Sequence, residues 1–110
     1  MPINYLIIKA IKKYGEFYED SLKVECPKGS GTMMNLKEVA SELTKRIISI
    51  FEKDTNDNRH THGKYNWFYQ LPENKDLLLF HEYFHGDTGS GLGASHQTGW
   101  TAVLVDLMRE

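Results

Sequence analysis

The sequence predicts an all-α fold of three main helices joined by long loops, and three stripes of apolar residues carry that prediction. Ile3, Leu6, Ile7, Ala10, Ile11 and Tyr14 recur at helical spacing near the start. A second stripe runs through Leu36, Val39, Ala40, Leu43, Ile47 and Ile50, joined by Ile48 and Phe51. Trp100, Val103, Leu104 and Leu107 mark a last, shorter helix.

In the first helix, Pro2 suits the opening turn, where its missing N–H costs nothing, and Gly15 is the expected stop. Tyr5 and Ile8 widen the apolar face, so the helix is expected to pack against two neighbours. Glu16 to Met34 reads as a surface connection, bent at Pro27 and at Gly29-Ser30-Gly31. Asn35 has the form of an N-cap, and Glu38 stands in the capping-box position three residues on. The second helix is expected to run to Lys53, because Asp54 to Asn58 is strongly turn-forming.

Arg59 to Gln70 is ambiguous: it holds His60, His62 and an aromatic cluster of Tyr65, Trp67, Phe68 and Tyr69, read here as core in preference to a sugar-stacking platform. Pro72 to Lys75 is a turn, and Leu77 to Phe80 fits either a strand or one buried helical turn. Glycines at 86, 89, 91 and 93 make the following segment a loop. Helices with more apolar surface than they can bury on one another, joined by long loops, point to a piece of something larger.

Composition narrows the class. At 110 residues the chain is at most one domain, and 40% hydrophobic with 25% charged residues suits a folded chain. A net charge of -2 offers no basic face for nucleic acid or anionic lipid. No membrane segment is visible, and the apolar run from Tyr5 to Ile11 is interrupted by Lys9. The single cysteine, Cys26, excludes an internal disulfide, fits a reducing, cytoplasmic setting, and has no neighbour that gives it a role.

The chemistry gathers between Lys75 and Thr101. His81-Glu82-Tyr83-Phe84-His85 matches HExxH, which binds zinc when a helix puts both histidines on one face and the glutamate polarises a water. The glycines that follow discourage such a helix. The extended motif would need a glycine at Thr88 and a histidine at Gly91, and a third carboxylate ligand could come only from Asp106 or Glu110. His60 and His62 could join His81, His85 or His96 around a metal, but ordinary hydrogen bonding accounts for them as well. Gly89 to Ala94 fits a loose dinucleotide fingerprint without the strand, helix and second half that motif requires. Lys28 precedes its glycines, the reverse of a P-loop.

Glycoside hydrolysis uses more of the stretch. It needs paired carboxyl groups in an aromatic-walled polar cleft. Glu82 follows an apolar Leu77 to Phe80 anchor that would hold a base in position, and Trp100 offers a flat apolar face.

The segment from Phe80 to Thr101, FHEYFHGDTGSGLGASHQTGWT, resembles the C-terminal signature of glycoside hydrolase family 63. Met1 to Leu6 is similar to the continuation of that family's Trp-Arg-Gly-Pro-Ile-Trp motif, and Gly29 to Leu36 is also similar to its cytosolic-type members. The resemblance implies that residues 1–110 are the C-terminal part of an (α/α)6 toroid catalytic domain. It implies an inverting α-glycosidase acting on terminal α-glucosidic bonds of glucosides or oligosaccharides. Glu82 would be the general base, and Trp100, Tyr83, His85 and Gln97 would contact substrate. No metal or cofactor is called for. The partner acid would lie in the missing remainder of the barrel, Met1 would be internal to a longer protein, and the chain alone would be inactive. The alternatives are an HExxH zinc peptidase using His81, Glu82 and His85, and a non-catalytic carbohydrate-contacting fragment.

Overall fold

The structure, a computed structural model, describes residues 1–109. The chain divides into two compact units, one of Ile3–Arg46 and one of Met1–Pro2 with Ile47–Glu110. The fold is mixed α/β. This corrects the all-α expectation and the (α/α)6 toroid that the resemblance implied, since each unit contains a two-stranded antiparallel sheet.

In the first unit, helix α1 (Pro2–Tyr18) runs straight through Gly15. Gly15 is buried, and a Cβ there would lie 2.9 Å from both the backbone nitrogen and the Cγ of Lys37. The glycine is present for close approach between two segments, not as a helix stop. Strand β1 (Lys23–Glu25) pairs with β2 (Met33–Asn35) in the register Lys23↔Asn35, Val24↔Met34 and Glu25↔Met33. The turn between them is closed by the Glu25 carboxylate, which accepts from the N–H groups of Gly29 and Gly31. Both glycines have positive φ, 85° and 77°, a backbone state that other residues rarely enter. Three-residue strands are too short to show alternation, so the sequence gives only a loop there.

Helix α2 (Leu36–Ser49) starts as its sequence predicts. The Glu38 N–H donates to Asn35 Oδ1 at 2.9 Å, and the Asn35 N–H donates to Glu38 Oε2 at 3.3 Å. This reciprocal pair is a capping box. Asn35 Nδ2 also donates to Asp20 Oδ1 at 2.8 Å, tying the cap to the short 3₁₀ turn Glu19–Ser21 after α1.

The α1 stripe is not the buried face. Ile8 is 3% exposed, whereas Ile3 is 72%, Leu6 63% and Tyr14 60% exposed. The helix lies on its Ile8–Gly15 side and presents its main apolar row outward.

In the second unit, α2 ends in tighter turns, with Phe51 N–H donating to the Ile48 carbonyl at 2.9 Å, so the regular helix stops short of Lys53. Asp54 Oδ1 caps the following turn by accepting from the N–H groups of Asn56 and Asn58 at 2.8 and 3.0 Å. A 3₁₀ segment, His60–Tyr65, leads into the single-turn helix α3 (Asn66–Tyr69). Asn66 clamps this corner. Its Oδ1 accepts from Arg59 N–H at 3.0 Å, and its Nδ2 donates to the Gly63 carbonyl at 2.7 Å.

Strand β3 (Tyr83–Phe84) pairs with β4 (Gly91–Leu92) in the register Tyr83↔Leu92 and Phe84↔Gly91. The expected C-terminal helix is split into α4 (Thr98–Thr101) and α5 (Leu104–Met108). Its anchors behave as predicted in part: Leu104 and Leu107 are buried, and Trp100 is exposed. Phe51 is buried and packs edge-on against Phe84 at 5.5 Å and tilted against Phe80 at 6.2 Å.

Asn35→Ala should cost about 1 kcal/mol in urea unfolding, the usual worth of a side-chain N-cap. Gly15→Val should cost about 1–3 kcal/mol, because the Lys37 backbone would have to move. A Gly15→Val protein as stable as the parent would refute the close-approach role.

Candidate functional site

The stretch that carries the chemistry is a glycine-lined hairpin held by backbone bonds. Glu82 N–H donates to the Ala94 carbonyl at 2.8 Å, His85 N–H to Ser90 at 2.8 Å, and Gln97 N–H to Phe80 at 2.8 Å. Phe80 and His96 form a further parallel bridge. Leu77 to Phe80, expected as a strand or buried turn, is neither, and Leu77 is exposed at 47%, so the anchor is a half-buried coil.

Glu82 sits on the outer side of this hairpin. Its carboxylate is exposed, and Oε2 accepts from the Ala94 N–H at 3.3 Å. Its carbonyl accepts from the indole Nε1 of Trp100 at 3.0 Å. Gly93, at φ 74°, makes room: a Cβ there would fall 2.8 Å from both Glu82 Oε2 and Tyr83 Cε1. Tyr83 and Trp100 are each about half exposed, on segments bonded to Glu82 or next to it. Gln97 turns the chain into α4, its carbonyl accepting from Trp100 N–H at 3.1 Å and Thr101 N–H at 2.8 Å. Thr101 is fully buried, and its hydroxyl donates to the His81 carbonyl.

His85 goes elsewhere. It lines a cavity of about 400 Å³ together with His62, His81, Tyr65, Tyr69, Thr61, Lys64, Thr88, Ser90, Gly91 and Leu92. Its Nδ1 accepts from Asp87 and Thr88 N–H groups at 3.2 and 3.3 Å, which orients the ring. Of the five residues singled out from the sequence, the hairpin brings Glu82, Tyr83, Trp100 and Gln97 together, and His85 faces this separate cavity.

His62 belongs to the cavity wall and was flagged in the sequence only as a metal-ligand option. It is 6% exposed and stacks on Tyr69 at 3.8 Å. Burial, then the nearby Arg59 guanidinium and His81, pull its pKa from 6.5 down to about 4, against the opposing pull of Asn66 and the Leu77 carbonyl. His81 is lowered as well, by burial first and by His96 second, with the Leu79 carbonyl opposing. Its ring lies on Gly91, where any Cβ would collide with it. Thr61 Oγ1, His62 Nε2 and His81 Nδ1 are buried with no hydrogen-bond partner among the described residues. These atoms are enclosed by protein, and their hydrogen-bonding capacity is met by no group among the described residues.

The zinc-peptidase arrangement loses its geometric basis. His81 and His85 flank a strand, not a helical turn, so their four-residue spacing does not put two ring nitrogens at one ion. Among the described residues no group of three or more His, Cys, Asp or Glu side chains could hold a metal. Glu110 lies outside the described residues. The aromatic cluster expected in the core is instead largely at the surface, with Trp67 64% and Tyr65 53% exposed.

The chain is similar to the yeast protein described as "Uncharacterized protein YMR196W" of Saccharomyces cerevisiae. The two are 48% identical over 106 residues, which take in 94% of this chain and 10% of the yeast protein. The chain thus spans about a tenth of the length of that relative. No protein-family model matches it, and no solved structure does. No helix among the described residues is long and apolar enough to cross a membrane.

The His62 shift predicts a pH dependence of stability. Between about pH 4 and 6.5 the unfolded chain binds a proton at this site that the native chain refuses. Stability from this group is complete above pH 6.5 and is lost as pH falls through that window toward 4. His62→Asn should flatten the acid limb of a urea-midpoint-against-pH curve, and an unchanged limb would count against a buried neutral imidazole.

Proposed function

We propose that this chain is the base-bearing portion of a larger inverting α-glycosidase of the family 63 type, acting on terminal α-glucosidic bonds. The observation that carries the reading is the setting of Glu82. Its carboxylate is open to solvent, with Oε2 held by the Ala94 N–H and its backbone anchored by Ala94 and by the Trp100 indole. A general base must be accessible to a water and yet fixed in direction, and this hairpin meets both needs. The half-exposed rings of Tyr83 and Trp100 supply the flat apolar surfaces that sugar faces favour.

Inversion requires a second carboxyl group roughly 6.5–9.5 Å from the first, with a water between them. In this reading the general acid comes from outside the chain. That this chain corresponds to only 10% of its yeast relative's length is consistent with such a division. Glu82 would draw a proton from the water as it attacks the anomeric carbon, while the outside acid protonates the departing oxygen. Gln97 serves the site through its backbone, by turning the chain so that Trp100 reaches the Glu82 carbonyl. His85 contributes to the neighbouring cavity and not to the carboxylate.

Two measurements test the reading. In the longer polypeptide, Glu82→Gln should lower kcat on α-glucosides about 10²–10⁴-fold, the usual worth of a general base, with sugar affinity by calorimetry retained. Near-parental turnover in that variant would exclude Glu82 as base. The 110-residue chain alone should release no glucose, and turnover by it would show that no outside acid is needed.

A further inference from the structure

Three consecutive carbonyls leading up to and including that of Glu82 are met by one short turn. The Phe80 carbonyl accepts from the Gln97 N–H at 2.8 Å, the His81 carbonyl from the Thr101 hydroxyl, and the Glu82 carbonyl from the Trp100 indole Nε1 at 3.0 Å. All three donors lie between Gln97 and Thr101, at the entry to α4 and within it. Thr101 is 0% exposed. A threonine in a helix commonly turns its hydroxyl back to the carbonyl four residues before it. Thr44 does so in α2, donating to the Ala40 carbonyl at 2.8 Å. Thr101 instead reaches 20 residues back along the chain, to the peptide that enters Glu82.

The His81 carbonyl and the Glu82 N–H belong to one planar peptide. Thr101 holds one end of it, and the Ala94 carbonyl holds the other at 2.8 Å. The next peptide is held at its carbonyl by Trp100. With the peptides on both sides of its Cα fixed, the direction in which the Glu82 side chain leaves the backbone is fixed too. The carboxylate itself has only the longer 3.3 Å bond from the Ala94 N–H among its printed contacts, so the backbone must supply most of its aim.

We infer that Thr101 is a positioning residue for Glu82: its hydroxyl fixes the His81–Glu82 peptide and thereby the line along which the carboxylate meets its water. The inference rests on the reading of Glu82 as general base. Thr101 acts through that base and touches no substrate, because its side chain is enclosed by protein. Productive geometry at such a group tolerates about 0.5 Å, and a misplacement of about 1 Å can cost about 10²-fold in rate.

The test uses the longer polypeptide in which Glu82→Gln is assayed. Thr101→Val keeps the shape of the side chain and removes the donor, whereas Thr101→Ser keeps the donor and removes a methyl group. Each is assayed on α-glucosides well below its own unfolding midpoint, and turnover is referred to folded protein. Thr101→Val should lower kcat about 10–10²-fold with KM unchanged, since the lost bond acts on the base and not on substrate binding. Thr101→Ser should restore near-parental kcat. Hydrogen exchange read by mass spectrometry should show residues 80–85 losing protection in Thr101→Val while residues 36–49 keep theirs.

Parental kcat per folded molecule in Thr101→Val would overturn the inference, whatever stability was lost, because the hydroxyl would then serve packing alone. A Thr101→Ser protein no better than Thr101→Val, or unchanged exchange over residues 80–85, would do the same. If Thr101→Val does not fold, Thr101→Cys, with its weak donor, decides: lowered kcat at parental KM upholds the inference and parental kcat overturns it. Parental turnover in Glu82→Gln is a separate outcome that removes the base and the inference with it. An inactive Glu82→Gln beside a fully active Thr101→Val removes only the role of Thr101.

Discussion

The candidate site depends on backbone pairing between residues 80–85 and 90–97. The N–H groups of Glu82, His85 and Gln97 donate to the carbonyls of Ala94, Ser90 and Phe80 across the glycine loop. These bonds satisfy peptide groups that a loop of this composition would otherwise leave to water. They also set directions. Glu82 is carried to the outer side, where the Ala94 N–H and Trp100 indole hold it, while His81 is laid on Gly91 and toward the cavity with His62. Neighbouring residues in the sequence thereby serve two different surfaces.

Glycine makes this possible at defined places. At Gly91 any side chain would strike the His81 ring, and at Gly93 it would strike Glu82 and Tyr83. Gly93 also adopts φ 74°, which a side chain would strain. The glycines that resemble a dinucleotide fingerprint therefore clear space for an imidazole and a carboxylate. Electrostatics on the two sides then differ. The cavity side shelters imidazoles that burial keeps neutral, and the Glu82 side leaves a carboxylate in water.

Local chemistry was legible wherever a few adjacent residues decide it. The capping box of Asn35 and Glu38, the Asp54 turn and the helical character of residues 3–14 all follow from short-range hydrogen bonding or period. Strands of two or three residues were not legible, because alternation needs more length than they have. Gly15 misled for a related reason. A glycine that ends a helix and one that lets another backbone approach look identical until Lys37 is seen beside it.

What the sequence alone determined is the set of helical periods, caps and turns, and the concentration of chemistry between Lys75 and Thr101. Tertiary structure decided which faces are used. Periodicity cannot tell that α1 buries Ile8 and Gly15 while showing Ile3, Leu6, Tyr14 and Phe17 to solvent, because both faces are apolar. Nor could the HExxH spacing reveal an extended backbone in place of a helix. That outcome came from long-range pairing with residues 90–97, which overrides local preference and separates His85 from Glu82.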